Sequence, residues 1–486
     1  MSDSGTVIGQ GTYGCAHDPA LICKGEATSR DDHISKILSN QDSMKELHEY
    51  VVISEVDPAK QFHLGTPTSC VIDDNDFNWK SIDKCRMNKD VFDNPLSYSL
   101  LIMKHGGVSL ADFSRELRRM HYSPQNQVTV EKFWLEAHRM LLGVKAFLSK
   151  GIIHRDLKAA NIVYKYDSST QRLNFIDFGL TTSVSKMILQ SRESRNTMTP
   201  FHWSYPLECG YLNKTRYDEY SRKTVKEREA HVRILLSNIS VSTLTSSSLD
   251  KAIKIFCSYV SCENSSIRSC MKPLRQIMDD FVATLFTHIQ PGDDKYEAFL
   301  RKSVNTFDSY GLGIAYMEVL RSCSHLIDPQ FAQELNELFY HMYHPNIGLR
   351  YEIDEIIAKY EECLSSNAIL AKYNKRFVDH VLVDGPEIPA SIEKLIERVD
   401  PKAVKMSRAE LRKHAGSAVI DCPEGTEYKA STGNCVKKCL PGYERNEAFR
   451  CIKTRQQPDS KTRRGSSKAT NSLRSTRRYS QFMSLL

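Results

Sequence analysis

Long apolar runs are missing from this chain of 486 residues: no stretch of roughly 18 consecutive apolar residues occurs, which argues against a membrane-spanning helix. The opening residues, Met1 to Val7, lack both the basic start and the apolar segment of a secretion signal, so a soluble intracellular protein is expected. Paired cysteines are also scarce. Through the first 400 residues the cysteines stand singly, so reduced thiols are expected there, with Cys15 and Cys23 as packing residues rather than ligands. Acid is what the end of the chain lacks: residues 452–486 hold nine Lys/Arg against one acid, a balance of +8. The net charge of +7 therefore leaves about −1 for everything before the tail, and any attraction to nucleic acid belongs to the tail alone. What the chain does have is 41% hydrophobic residues, enough for one large two-lobed domain of about 300–350 residues with appendages.

Residues 1–104 read as short strands with one helix, the clearest strands being Val7-Ile8, Ile34 to Leu38 and Leu100 to Met103. From Val130 the spacing becomes helical, through Phe133, Ala137, Leu141, Val144 and Leu148, and that helix must end at Gly151. Residues 105–365 continue as a mainly helical region. It contains a weakly patterned insertion at about 209–305 that includes a Ser/Thr-rich tract. A helical extension at 366–421, a cysteine-bearing module at 422–451 and a basic, disordered tail at 452–486 follow.

Gly9-Gln10-Gly11-Thr12-Tyr13-Gly14 follows an apolar pair and fits a loop whose backbone approaches phosphates, with Ile8 at its edge. The same pattern opens dinucleotide-binding turns, but there a long helix should follow and here Pro19 interrupts. More specific are Ile152-Ile153-His154-Arg155-Asp156-Leu157-Lys158-Ala159-Ala160-Asn161 and, 16 residues beyond Asn161, Asp177-Phe178-Gly179. An ordered acid, amide and second acid supply what phosphoryl transfer needs: a proton acceptor for the attacking hydroxyl and two metal ligands.

With these motifs the chain resembles the protein-kinase family. The resemblance implies an α+β, bilobal kinase fold, with a small β-rich N-lobe at 1–104 and a larger, mainly helical C-lobe at 105–365. It further implies ATP and Mg²⁺ as cofactors, Asp156 as catalytic base, Lys158 at the transferred phosphate, and Asn161 and Asp177 as metal ligands. Leu101 takes the place of the gatekeeper, Ile102 to Lys104 (Met103 among them) offer backbone to adenine, and Gly106-Gly107 form the hinge. Pro206-Leu207-Glu208 closes the activation segment, Asp308 is the buried helix acid, and Arg350 pairs with Glu208. For the small-lobe lysine, Lys36 is favoured over Lys24, which leaves little room for an intervening strand. For its helix partner Glu49 is favoured over Glu46, because Val52, Ile53 and Val56 lie at +3, +4 and +7 from Glu49. Lys158 implies Ser/Thr rather than Tyr as acceptor. Arg155 implies control by a phosphate on Thr181, Thr182, Ser191, Ser194, Thr197 or Thr199.

Gly9 to Cys15 with Pro19 and Cys23, the Val56-Asp57-Pro58 helix end, and His202-Trp203-Ser204-Tyr205-Pro206 resemble kinases of large nucleocytoplasmic DNA viruses, the iridoviruses and ascoviruses. Cys422, Cys435, Cys439 and Cys451 resemble the two-cysteine adaptor of such viruses; their spacings of 12, 3 and 11 residues disfavour a four-thiolate zinc site. The resemblance implies protein substrates, protein partners through 422–451, nucleic acid only through the tail, and a place in host cytoplasm or virion, the nucleus remaining open. The competing expectation is a pseudokinase scaffold that recruits partners through the C-terminal module.

Overall fold

The computed structural model describes residues 4–11, 14–26, 32–166, 171–198, 204–240, 274–373 and four short strands between 426 and 453. Two compact units, Met1–Ser417 and Ala418–Leu486, divide the chain.

The first unit begins with an antiparallel five-stranded sheet in the order β1-β2-β3-β5-β4, built from β1 (Thr6–Gln10), β2 (Gly14–Asp18), β3 (His33–Ser39), β4 (Thr68–Cys70) and β5 (Tyr98–Lys104). Its register sets Gly9, Ala16, Lys36, Leu101 and Ser69 opposite one another, strand by strand. Directly opposed residues share a face, so one row crosses the sheet from the glycine-rich turn to β4. The neighbouring row, Cys15, Ile37 and Leu100, faces the other way and is buried.

The two faces are covered differently. Helix α1 (Asn40–Val56) follows β3 without a loop; Ser39 caps it by accepting the Asp42 N–H, and Ser43, Glu46, Tyr50 and Ile53 are its buried residues. The opposite face receives α2 (Asp76–Ile82) and α3 (Asn88–Asp93), which close a core of Cys15, Ile37, Ile82, Cys85, Val91 and Leu100. Two disulfides staple this layer, Cys15–Cys85 and Cys23–Cys70. This corrects the expectation of reduced thiols: Cys15 and Cys23 do pack in the core, but each meets a partner from the 70–85 segment, and sequence spacings of 70 and 47 residues give no hint of that.

The helical part starts at β6 (Val108–Ser109) and α4 (Leu110–Leu117) and is organised on α5 (Pro124–Ser149). That helix begins six residues before Val130, at a Ser123 cap with Pro124 in the first turn, and ends before Gly151, whose φ of 72° suits glycine. Strands β7 (Ile152–Ile153), β8 (Ile162–Tyr166), β9 (Gln171–Phe175) and β10 (Thr182–Ser183) carry the motif-bearing segment, which runs on into α6 (Val184–Arg192). Helices α7 (Lys214–Ser221), α8 (Val225–Ser240), α9 (Leu274–Ala283) and α10 (Asp293–Asn305) occupy the stretch read as an insertion. They are followed by α11 (Phe307–Cys323), α12 (Pro329–Met342) and α13 (Ile353–Ser366). Among the described residues, no helix is long and apolar enough to cross a membrane.

The second unit contains two antiparallel hairpins, β11 (Thr426–Lys429) with β12 (Asn434–Lys437) and β13 (Tyr443–Arg445) with β14 (Cys451–Lys453). The helical expectation for 374–421, Cys422, Cys439 and the tail beyond 453 lie outside the described residues.

Candidate active site

The loop after β7 is fastened from behind. The Asp308 carboxylate, on the first turn of α11, accepts the His154 N–H at 2.6 Å and the Arg155 N–H at 2.9 Å. Arg155 has φ of 67°, a conformation that costs a side-chain-bearing residue of order 1–2 kcal/mol, and the Asp308 bonds hold it there. One turn farther along, Gly311 lets the same helix touch the loop, since a Cβ there would lie 2.3 Å from the Leu157 carbonyl. Burial raises the Asp308 carboxyl above its usual range, with His154 and the two N–H bonds opposing.

Held this way, Asp156 is nearly buried and its two oxygens differ. Oδ2 accepts from Lys158 Nζ at 2.7 Å and from Asn161 Nδ2 at 2.8 Å. Oδ1 is buried without a hydrogen-bond partner among the described residues. A buried acceptor left open in this way needs a donor from outside the protein's own hydrogen bonds.

Asp177 enters from β9 with φ of 64°. Phe178, fully buried, packs between Tyr50 of α1, edge-on, and His154, tilted, at ring separations of 5.1 and 4.8 Å. Asp177 Oδ1 receives Lys36 Nζ at 2.9 Å, and the same ammonium reaches Glu46 Oε2 at 2.8 Å. Burial would lower the Lys36 ammonium's pKa, but the two carboxylates together raise it above its ordinary value. Burial would likewise raise Asp177, yet Lys36 more than offsets this and holds it below the usual carboxylate range. Glu46 goes the other way: burial raises it, only partly countered by Lys36.

Lys36 therefore stands where the strand pattern put it, whereas Lys24 lies in the turn region between β2 and β3. The carboxylate at Lys36 is Glu46, not Glu49, and the expectation of Glu49 is corrected. Apolar neighbours misled because the face of α1 is set by its direct continuation from β3, with Ser43, Glu46, Tyr50 and Ile53 turned inward while Val51 is about half exposed.

Around this centre the remaining predicted positions fall as follows. Leu101 is fully buried and sits opposite Lys36 across β3 and β5; Ile102 is buried, and Met103 is half-buried near the strand end. Gly107 follows with φ of 92°, where a Cβ would lie 2.1 Å from the Tyr164 carbonyl, so only glycine lets the chain pass β8. At the other edge, Gly11 donates its N–H to the Gly14 carbonyl, and Gly14 is required by packing because a Cβ would lie 2.5 Å from Leu38. Gly9 and Gly11 are different: a Cβ would make only ordinary contact at Gly9 and none at Gly11. Ile8, at an irregularity between Val7 and Gly9, is 47% exposed.

Farther out, Glu208 and Arg350 form a fully buried two-pronged pair at 2.6 and 3.0 Å, with Ser303 also donating to Glu208. Of the hydroxyls considered for phosphate control, Thr181, Thr182 and Ser191 are buried, Ser194 accepts from Thr215, Thr197 is exposed, and Thr199 lies outside the described residues. The helix α6 within this segment was not legible beforehand.

A strand lysine tied to a helix carboxylate and to the acid of Asp-Phe-Gly, above a clamped His-Arg-Asp loop, fits a protein-kinase fold and site. Residues 94–222 match the family model "protein tyrosine and serine/threonine kinase". Human calcium/calmodulin-dependent protein kinase type IV is 32% identical over 101 residues, 21% of this chain and 20% of that protein, and the Rattus norvegicus protein of the same name matches to the same degree. The mouse protein is 31% identical over 102 residues. The chain thus spans about a fifth of the length of the curated relatives it matches, and these similarities support a eukaryotic-type serine/threonine kinase domain.

Proposed function

We propose that the chain is an active serine/threonine protein kinase of bilobal build, transferring the γ-phosphoryl of ATP to protein hydroxyls. The observation that carries this reading is the divided carboxylate of Asp156, with Lys158 and Asn161 on one oxygen and the other buried and open. In this reading Oδ1 orients the incoming hydroxyl and takes its proton, and Lys158 meets the phosphoryl oxygens. Asn161 and Asp177 hold Mg²⁺, which spreads the charge on the phosphates when bound. Lys36, kept charged by its two carboxylates, binds phosphate oxygens, and Glu46 keeps it in place. Gly9 and Gly11, which the protein's own packing does not demand, leave backbone free to approach the nucleotide under Ile8. Leu101 and the Met103 backbone bound the adenine.

The viral reading extends this proposal: a virus-encoded kinase acting in host cytoplasm or virion, with 422–451 as an adaptor for protein partners and the basic tail as a nuclear or nucleic-acid element. Transfer of radiolabelled phosphate from ATP to a basic protein, by wild type, D156N, D177A and K36M, tests the enzyme reading. Losses of at least about 10²–10³-fold are expected in each variant. Equal residual labelling in all four proteins would overturn the enzyme reading in favour of its rival, the pseudokinase scaffold.

A further inference from the structure

The face of the sheet turned away from Lys36 holds a second chemical cluster. Cys15 and His17, two apart on β2, project to the same side, and Cys85 reaches them from the turn between α2 and α3. All three are buried, and their sulfur and ring-nitrogen atoms lie within 4.8 Å of one another. A single imidazole nitrogen faces both sulfurs: His17 Nε2 is 3.2 Å from Cys85 Sγ and 3.9 Å from Cys15 Sγ. Zinc bound to thiolate at about 2.3 Å and imidazole at about 2.0–2.1 Å in tetrahedral geometry sets a sulfur-to-nitrogen edge of roughly 3.6 Å. The two observed separations bracket that edge.

We propose that Cys15, His17 and Cys85 form a Zn²⁺ site that is exposed to metal when the Cys15–Cys85 bond is reduced, so that the same residues hold either a disulfide or a metal ion. A phosphine reductant cleaves the disulfide to two thiols and is itself oxidised to the phosphine oxide, with water supplying the oxygen and the two protons. Zn²⁺ then displaces the two thiol protons and takes the lone pair of His17 Nε2, leaving a fourth position for water. Two thiolates cancel the charge of the ion, so the centre is neutral, the form a buried apolar layer tolerates best. Soft thiolates with imidazole suit zinc rather than magnesium or calcium. Among the described residues, Cys23 and Cys70 have no corresponding third ligand and serve as the internal comparison.

The test is a zinc count on the full chain, reduced with a phosphine under anaerobic conditions, equilibrated with Zn²⁺ and freed of loose metal by gel filtration. Because other cysteines lie near the C-terminus, the informative quantity is the difference between proteins. Reduced wild type should carry one more Zn²⁺ per chain than H17Q or C85S reduced in the same way, while the reduced C23S/C70S protein should match wild type. Cobalt substitution should give a tetrahedral thiolate spectrum that weakens in H17Q. Equal metal counts in reduced wild type, H17Q and C85S would overturn the proposal. If either variant fails to fold, an absence of any His17-type tetrahedral cobalt signal on reducing wild type would overturn it as well. The readout is independent of phosphotransfer, so this result stands apart from the kinase reading.

Discussion

Glu46 acts through the ammonium it holds. Burial raises its pKa above the ordinary carboxylate value, only partly countered by Lys36. E46Q leaves the buried Lys36 with Asp177 as its one remaining carboxylate partner among the described residues. It should lower the melting temperature and cut activity by on the order of 10²-fold, the penalty for misplacing a reacting group. E49Q should change neither; calorimetry and labelling on both proteins check the pair. Lys36 was legible because the strand pattern pointed to it and Lys24 stands too close to the glycine-rich turn to leave room for an intervening strand. The Glu46 position was not, since it depends on how β3 hands the chain to α1, and single-residue apolar spacing does not encode that handover.

Elements carry the next set of consequences. The Glu208–Arg350 pair joins the turn that follows Pro206 to the stretch between α12 and α13, entirely out of solvent. E208A leaves the guanidinium buried without its anion and should cost about 3–5 kcal/mol in urea denaturation. The β2 strand adds a pH effect. Burial lowers His17 from 6.5 to about 4, with the Ser81 backbone opposing and Lys84 assisting. Between those values the unfolded chain binds more protons, so stability falls as pH drops from 6.5 to about 4, by about 3 kcal/mol at most. H17Q should flatten that fall in urea midpoints compared at pH 7 and 4.5. Strands β3 and β5 and helix α5 were readable from their apolar residues, which are largely buried, whereas β1 is mostly exposed and was marked by the pair Val7-Ile8 before the glycine-rich turn. The α2–α3 cover and α6 were not: the pairing of Cys15 with Cys85 and Cys23 with Cys70 is a tertiary fact, and α6 carries too little apolar pattern to stand out.

For the whole molecule, the distribution of charge makes a separable claim. If the basic tail is the only nucleic-acid element, deleting 452–486 should abolish salt-dependent binding of DNA or RNA and leave phosphotransfer unchanged, as filter binding across a salt series and labelling will show. The motif-bearing core was legible from short runs in fixed order, whereas the arrangement of the long stretch 209–305 required knowing what its helices pack against. The Asp308 clamp also has a consequence in time. It joins residues 154 apart in sequence, and at synthesis rates of about 5–20 residues per second the loop bearing Asp156 leaves the ribosome roughly 8–30 seconds before its anchor. During that interval the nascent chain holds its motifs without the support that shapes them, and the loop reaches its clamped form only once the second half of the protein has been made.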